Sequence, residues 1–486
     1  MIEIASFIYL LIPPLIFAIG WLRPVYVCIV AVPLAIAGTY TLREMLREQR
    51  CTPCEKQCSY AKVIIILVLL FLWVIFSGVG GFIWQNRWDH KFRNAVFMDL
   101  VNRPWPVIQG DSALCYYLGF WLPSALIGKV FGLQIGYLFQ VIWAYLGVVL
   151  AVFLIFEYIG AVKIRIILLV IFYSGLDVLV HYAKGLAVQS NLIALTMRLL
   201  SGEHIELLLR YFNSSSNTTL LFWLYNQIIP FWVGFMLILL RKRSQSIIVI
   251  FSLLVLYSPF PCVTLCPLIV YMIFRNRNVQ LSKFKEVMVA VKDNCCVETL
   301  CVIPFLVIVG LYYLSNIATG KVRLLALSPF TILLFSTFFI CEFGLYLAVL
   351  YKDNQSDPIL RILLLTTAIC SFIVLGNSYD FAWRTCIPLS FYIMLLIAKK
   401  LIAIKNEGRL GICLLVLLCF GAITPATEMM RTTWGELSVL AGETSARSDT
   451  LDSVFSKENN ECYENFIGNT DSIFFSYLCK NGNERK

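Results

Sequence analysis

Charge is scarce in this chain. Of its 486 residues only 14% are charged, while 59% are hydrophobic. A water-soluble protein of this size cannot cover so much apolar surface with so few charges, whereas a bilayer solvates apolar faces with lipid. A cleavable leader is not expected either. The first apolar run, residues 6–22, meets a second at once and has no small-residue cleavage site, so it reads as a retained helix. Neither GxGxxG after a strand nor GxxxxGK[ST] occurs, which removes the usual phosphate cradles of nucleotide-binding proteins. The net charge of +10 comes without a basic platform interleaved with aromatic residues, so nucleic acid is not expected as a partner. No repeat of fixed period and no inverted symmetry stands out.

What the chain has is apolar runs, each near the roughly 20 residues that cross a bilayer. VIIILVLLFLWVIFSG, from Val63, is one of them. The runs predict an all-α integral membrane protein with about thirteen transmembrane helices. They fall near residues 5–22, 24–42, 62–84, 138–156, 166–176, 219–240, 246–258, 262–275, 297–315, 325–351, 359–376, 385–400 and 409–425. Basic residues gather between them at Arg43, Arg47 and Arg50, at Arg241, Lys242 and Arg243, and across residues 275–292 and 399–409. This asymmetry places those loops in the cytoplasm and the other connections outside. Residues 116–132, YYLGFWLPSALIGKVFG, carry Pro123, Gly119 and Gly128 and make a poor spanning helix. They are expected to lie on the outer leaflet, because a crossing there would turn every later arginine-rich loop outward. Three parts follow: residues 1–60, a helical hairpin and basic loop; residues 61–425, the transmembrane module; and residues 426–486, an external tail.

Most of the seventeen cysteines sit singly in apolar runs, where they act as small hydrophobes. Cys51, Cys54 and Cys58 in CTPCEKQC have zinc-like spacing but no fourth ligand nearby, leaving metal binding and reduced thiols both open. Cys462 and Cys479 in the tail are either bridged or separate; their spacing does not decide it.

The chemistry-bearing residues lie outside. The first loop reads WQNRWDHKFRNAVFMDLVNRPWPVIQGD, a second holds Asp177, His204 and Glu206, and a third reads GNSYDFAWR. A carboxylate at a membrane surface can deprotonate an acceptor hydroxyl or hold a divalent ion. Basic groups beside it can stabilise a departing phosphate. Asp89 and Asp177 are the candidate catalytic acids, and Arg384 and Arg93 the candidate phosphate clamps. His90, Trp88, Trp105, Tyr379 and Asp380 are candidates to touch a sugar or acceptor, although tryptophan and tyrosine also anchor helices at interfaces. His204 and Glu206 read as either metal ligands or a hydrogen-bonded loop pair.

From Gly80 onward the sequence resembles the GT-C superfamily of polyprenyl-phosphate-dependent glycosyltransferases. WDHKFRNAVFMDLVNRPWPV is similar in spacing to the acidic first loop of that family, and YYLGFWLPSALIGKVFG to its Pro-containing interfacial segment. FYSGLD, SPFP and DFAWR are similar to segments of bacterial membrane proteins of surface-polysaccharide type. The resemblance spans roughly residues 60–425 and rests on a loop pattern and on topology. It implies that Asp89 stands at the family's essential acid, with His90 replacing an adjacent Glu. It further implies an inverting transfer of sugar from a polyprenyl-phosphate carrier to a glycan, lipid or polymer acceptor, at the outer face of the cytoplasmic membrane, with Mg or Mn as the conceivable cofactor. Two alternatives remain open: a transporter or flippase of lipid-linked saccharides, and a glycan polymerase or ligase. A transporter would set its ionisable groups inside broken spans, and Glu342 is the one acid expected within a span.

Overall fold

The computed structural model describes residues 1–51, 59–188, 191–209, 211–275, 284–320, 322–376, 378–403, 408–448, 451–457 and 462–480. Cys54 and Cys58 fall outside the described residues. Helix makes up 76% of the described residues, and sheet is almost absent among them. Among the described residues nine helices are long and apolar enough to cross a membrane. They are Ile2–Trp21, Pro24–Glu48, Leu133–Ile159, Ile164–Ala187, Asn217–Leu240, Val297–Leu314, Pro329–Asn354, Asp380–Ala403 and Gly408–Leu440. Five shorter apolar helices accompany them: Tyr60–Phe76, Gly119–Phe131, Ser244–Leu254, Pro259–Arg275 and Pro358–Cys370. The chain is a multi-pass membrane protein.

Ion pairs tie alternate helix ends together at one pole of the bundle. Arg241, closing the Asn217–Leu240 helix, binds Glu3 of the first helix and Glu48 of the second. Arg243 reaches Glu44 and Glu298, and Lys400 binds Asp353 at 2.6 Å. Such pairs leave few charges facing lipid, which satisfies the rule that ionisable groups near the bilayer find partners.

The opposite pole is built differently. There the first loop and the C-terminal tail interleave. Ser112–Leu114 pairs antiparallel with Ile108–Gln109 on one side and with Ile467–Asn469 on the other. Asp99 accepts bonds from Ser453 Oγ and Val454 N–H at 2.9 Å, and Asn94 donates to the Ser448 carbonyl at 2.7 Å. The tail also reaches the first helix, where Lys480 N–H donates to the Trp21 carbonyl. The Gly119–Phe131 segment holds a ten-residue α-helix, Leu122–Phe131, about 15 Å long.

Several boundaries differ from those the hydropathy predicts. The helix expected at 62–84 stops at Phe76, because Gly78 takes the left-handed conformation (φ 75°) that closes a helix. The segment expected as helix 359–376 stops at Cys370, and Ile373–Leu375 pairs with Val322–Leu324, a strand just before the helix expected at 325–351, which begins at Pro329. The last predicted span, 409–425, breaks at Ala422 and resumes as a helix to Leu440. Hydropathy senses the apolar run and not the backbone turn inside it.

Candidate functional site

The Asn217–Leu240 helix starts cleanly, with Ser216 Oγ accepting from Thr219 N–H at 3.0 Å. Seven residues on it kinks at Leu224 (φ −131°, ψ 27°). Beside the kink the Phe222 carbonyl is bonded by Asn86 Nδ2 at 3.3 Å and His90 Nε2 at 2.9 Å. Just past it come two adjacent amides, Asn226 and Gln227, both buried in an otherwise apolar run.

Each amide receives an arginine. Arg93 Nε donates to Asn226 Oδ1 at 3.4 Å, and Arg384 donates to Gln227 Oε1 at 3.2 Å. Each arginine also binds an aspartate four residues before it, Arg93 with Asp89 and Arg384 with Asp380, both at 3.3 Å. The sequences are DHKFR and DFAWR, and the spacing puts acid and base on one face of a helix turn. Both aspartates open their helices, where the positive end of the dipole favours a carboxylate. The guanidinium side chains are 4% and 11% exposed, the carboxylates 26% and 35%. The acids therefore form a rim and the arginines a floor.

Aromatic rings close that floor. Tyr225 lies 5.9 Å from the Arg93 guanidinium, and Tyr117 and Phe260 lie 5.8 and 5.9 Å from that of Arg384, within cation–π range. Tyr116 stands within electrostatic reach of both arginines, and Arg384 acts on the charge of Arg93. Burial works against the Arg93 charge, but Asp89 and the two tyrosines outweigh it and hold its pKa above the usual value.

The other sequence candidates divide. Tyr379 is at the rim, packed on Tyr211 and Trp383, and Trp88 is 57% exposed above Phe92. His90 is fully buried. Burial, then the Arg93 charge, pushes its pKa down to about 3, so the ring is neutral and braces the kink instead of facing a sugar. Trp105 lies elsewhere, against Trp21 and Gly20, with its Nε1 bonded to the Leu100 carbonyl.

Asp177, expected beside Asp89, belongs to a second cluster. The Ile164–Ala187 segment is interrupted between Phe172 and Asp177. Asp177, at the restart, hydrogen-bonds Glu342, which sits on a π-helical turn, Ile340–Gly344. Ser174 and Thr424 hydroxyls donate to Asp177 at 3.3 and 3.4 Å. Glu206 Oε1 accepts from Ser216 N–H and Thr219 Oγ1, and burial raises its pKa. His204 Nδ1 meets Glu428 at 2.6 Å, and Glu428 also takes bonds from Trp223 and Arg431. Burial opposes the charge of His204, but Glu428 and Glu206 raise its pKa. His204 and Glu428 form an ion pair when the imidazole is protonated. Among the described residues no group of three or more His, Cys, Asp or Glu is placed to hold a metal ion.

Comparison with family models, curated proteins and solved structures finds no match. The site stands on its own geometry. Sequence reasoning named both arginines and their aspartates but missed Asn226, Gln227, Tyr116, Tyr117 and Glu428. Their signals were the paired amides in FWLYNQIIPFW and the doubled Asp-x-x-x-Arg spacing.

Proposed function

We propose that the chain is a membrane glycosyltransferase that moves a sugar from a polyprenyl-phosphate carrier to a glycan, lipid or polymer acceptor. Its site opens at the outer face of the cytoplasmic membrane. In this reading the nine long helices and four of the short ones cross, and Gly119–Phe131 lies on the surface. One observation carries the proposal: two Asp–Arg pairs, from the first loop and from the Asp380 helix, converge on neighbouring amides.

The chemistry divides between floor and rim. Asp89 takes the proton of an acceptor hydroxyl as that oxygen attacks the anomeric carbon from the face opposite the phosphate. The anomeric carbon–oxygen bond breaks, its electron pair leaves on the phosphate oxygen, and the configuration inverts. Arg93 and Arg384 meet the developing charge with planar forks suited to phosphate oxygens. Asp380 and Tyr379 border the acceptor side. Incubating the purified protein with a panel of polyprenyl-phosphate sugars and an acceptor tests the reading. Donor loss that Asp89→Asn abolishes supports it; no donor loss across the panel refutes it.

A second reading, a transporter or flippase of lipid-linked saccharides, is favoured by the Asp177–Glu342 contact. It sets two acids within spanning segments, at a break and at a π-turn, as transporters do. Movement of an intact lipid-linked saccharide across proteoliposomes, with no donor consumed, would favour it over transfer.

A further inference from the structure

Two carboxyl groups within hydrogen-bonding distance cannot both be ionised, because a hydrogen bond between them needs a proton and two carboxylates repel. Asp177 and Glu342 are such a pair. Both are buried, at 6% and 4% exposure, so water does not relieve the repulsion. We propose that Asp177 and Glu342 form a proton-binding site inside the bundle, holding one proton in common while the chain is at rest.

The surroundings favour a proton as the ligand. Glu206, 2% exposed, presents an Oε2 that has no hydrogen-bond partner, and its charge acts on both Asp177 and Glu342. A third buried acid facing the pair adds negative potential and leaves an acceptor for a second position of the proton. The cations nearby are already engaged. His204 and Arg431 both bind Glu428, and His204 acts on Asp177 and Glu206 only through space. The remaining groups facing the pair are neutral: Tyr173, Tyr346, Cys341 and Cys386 around Glu342, with Ser174 and Thr424 on Asp177. Among the described residues no ion pair joins a cation to Asp177 or Glu342, so no cation in contact replaces the proton.

The backbone is shaped to the pair. Glu342 fills the space where a side chain at residue 175 would stand, so any larger residue there must displace its carboxylate. Leu176 N–H bonds the Cys341 carbonyl, joining the broken helix to the π-turn one residue from each acid. Loss of the proton would charge both acids at that joint and drive the two segments apart, so the interruption in Ile164–Ala187 is the element whose position the proton controls. The inference needs neither functional reading to hold.

Infrared difference spectroscopy on the purified full-length protein tests it. The wild type is expected to show a protonated-carboxyl C=O band at pH 7 and pH 8, shifted in D2O, equivalent to one carboxyl per chain. Glu342→Gln and Asp177→Asn are each expected to remove it, with folding checked by size exclusion and melting. Loss of the band in either folded variant supports the site. Absence of the band in wild type at pH 7, or its retention in either folded variant, overturns it.

Discussion

Arg93 and Arg384 bond neighbouring side chains, Asn226 and Gln227, on one kinked helix. One arrives from the first loop and the other from a helix near the far end of the sequence. The helix offers each an amide oxygen and keeps neither charge, leaving Asp89 and Asp380 as the countercharges that an arriving phosphate would displace.

Arg384→Ala is expected to weaken binding of a donor lipid more than Arg384→Lys does. A lysine keeps the charge but loses the bidentate fork that grips two phosphate oxygens. Affinity for a polyprenyl-phosphate sugar reads this directly, and equal affinities for wild type and Arg384→Ala would remove the residue from the site.

Asp89→Asn is expected to cut sugar transfer by about 10²–10⁴-fold, the usual contribution of a general base, with donor binding retained. Asp99 is the comparison. Its carboxylate anchors the tail through Ser453 and Val454 and binds Arg103 at 2.8 Å. Asp99→Asn is expected to lower the melting temperature while leaving turnover per folded molecule close to wild type. Near-normal turnover by Asp89→Asn would show that the base is elsewhere.

Gly175→Ala is expected to destabilise the chain by about 1–3 kcal/mol, the usual cost of forcing a methyl group into filled space. The added carbon would overlap the Glu342 carboxylate. Shortening that side chain with Glu342→Ala should erase the difference between glycine and alanine at position 175. A four-way comparison of melting temperatures reads the coupling, and additive effects would show that the overlap is not the cause.

His90 gives the fold a dependence on acid. Its pKa falls from 6.5 to about 3 on folding, mainly by burial. Between those values the unfolded chain binds a proton that the folded chain does not, so stability rises with pH and is lost on acidification. From pH 7 to pH 5 the loss is about 2 kcal/mol. His90→Gln keeps a donor for the Phe222 carbonyl and should flatten this part of the melting profile. Parallel profiles for the two proteins would contradict the buried neutral ring.

Topology can be read by labelling. A cysteine at Asp471, exposed on the tail, should react with an impermeant maleimide in intact cells. One at Arg47, exposed at the basic pole, should react only after permeabilisation. The reverse pattern would invert the whole reading.

Much of the architecture was legible because lipid imposes a simple rule: long apolar runs become helices, and basic residues mark one set of loops. Asp89, Arg93, Asp380 and Arg384 were legible for a related reason, since charge beside an apolar run needs an explanation. Their convergence was not, because it depends on the kink at Leu224 and on two amides that hydropathy averages away. Glu342 was visible as an acid in a span, but its partner was hidden. Asp177 looked like the outer end of a helix, and only the interruption after Phe172 brings it back inside.

The pairing of Ser112–Leu114 with Ile467–Asn469 carries a consequence for biogenesis. The central strand of that small sheet emerges early in translation, and its outer partner follows only much later. A nascent chain halted before Ile467 would present an unpaired strand edge, an invitation to mispairing that Ile467–Asn469 removes. Maturation of the first loop thus waits on synthesis of Ile467–Asn469, and deletion of those three residues would leave Ser112–Leu114 paired on one side alone.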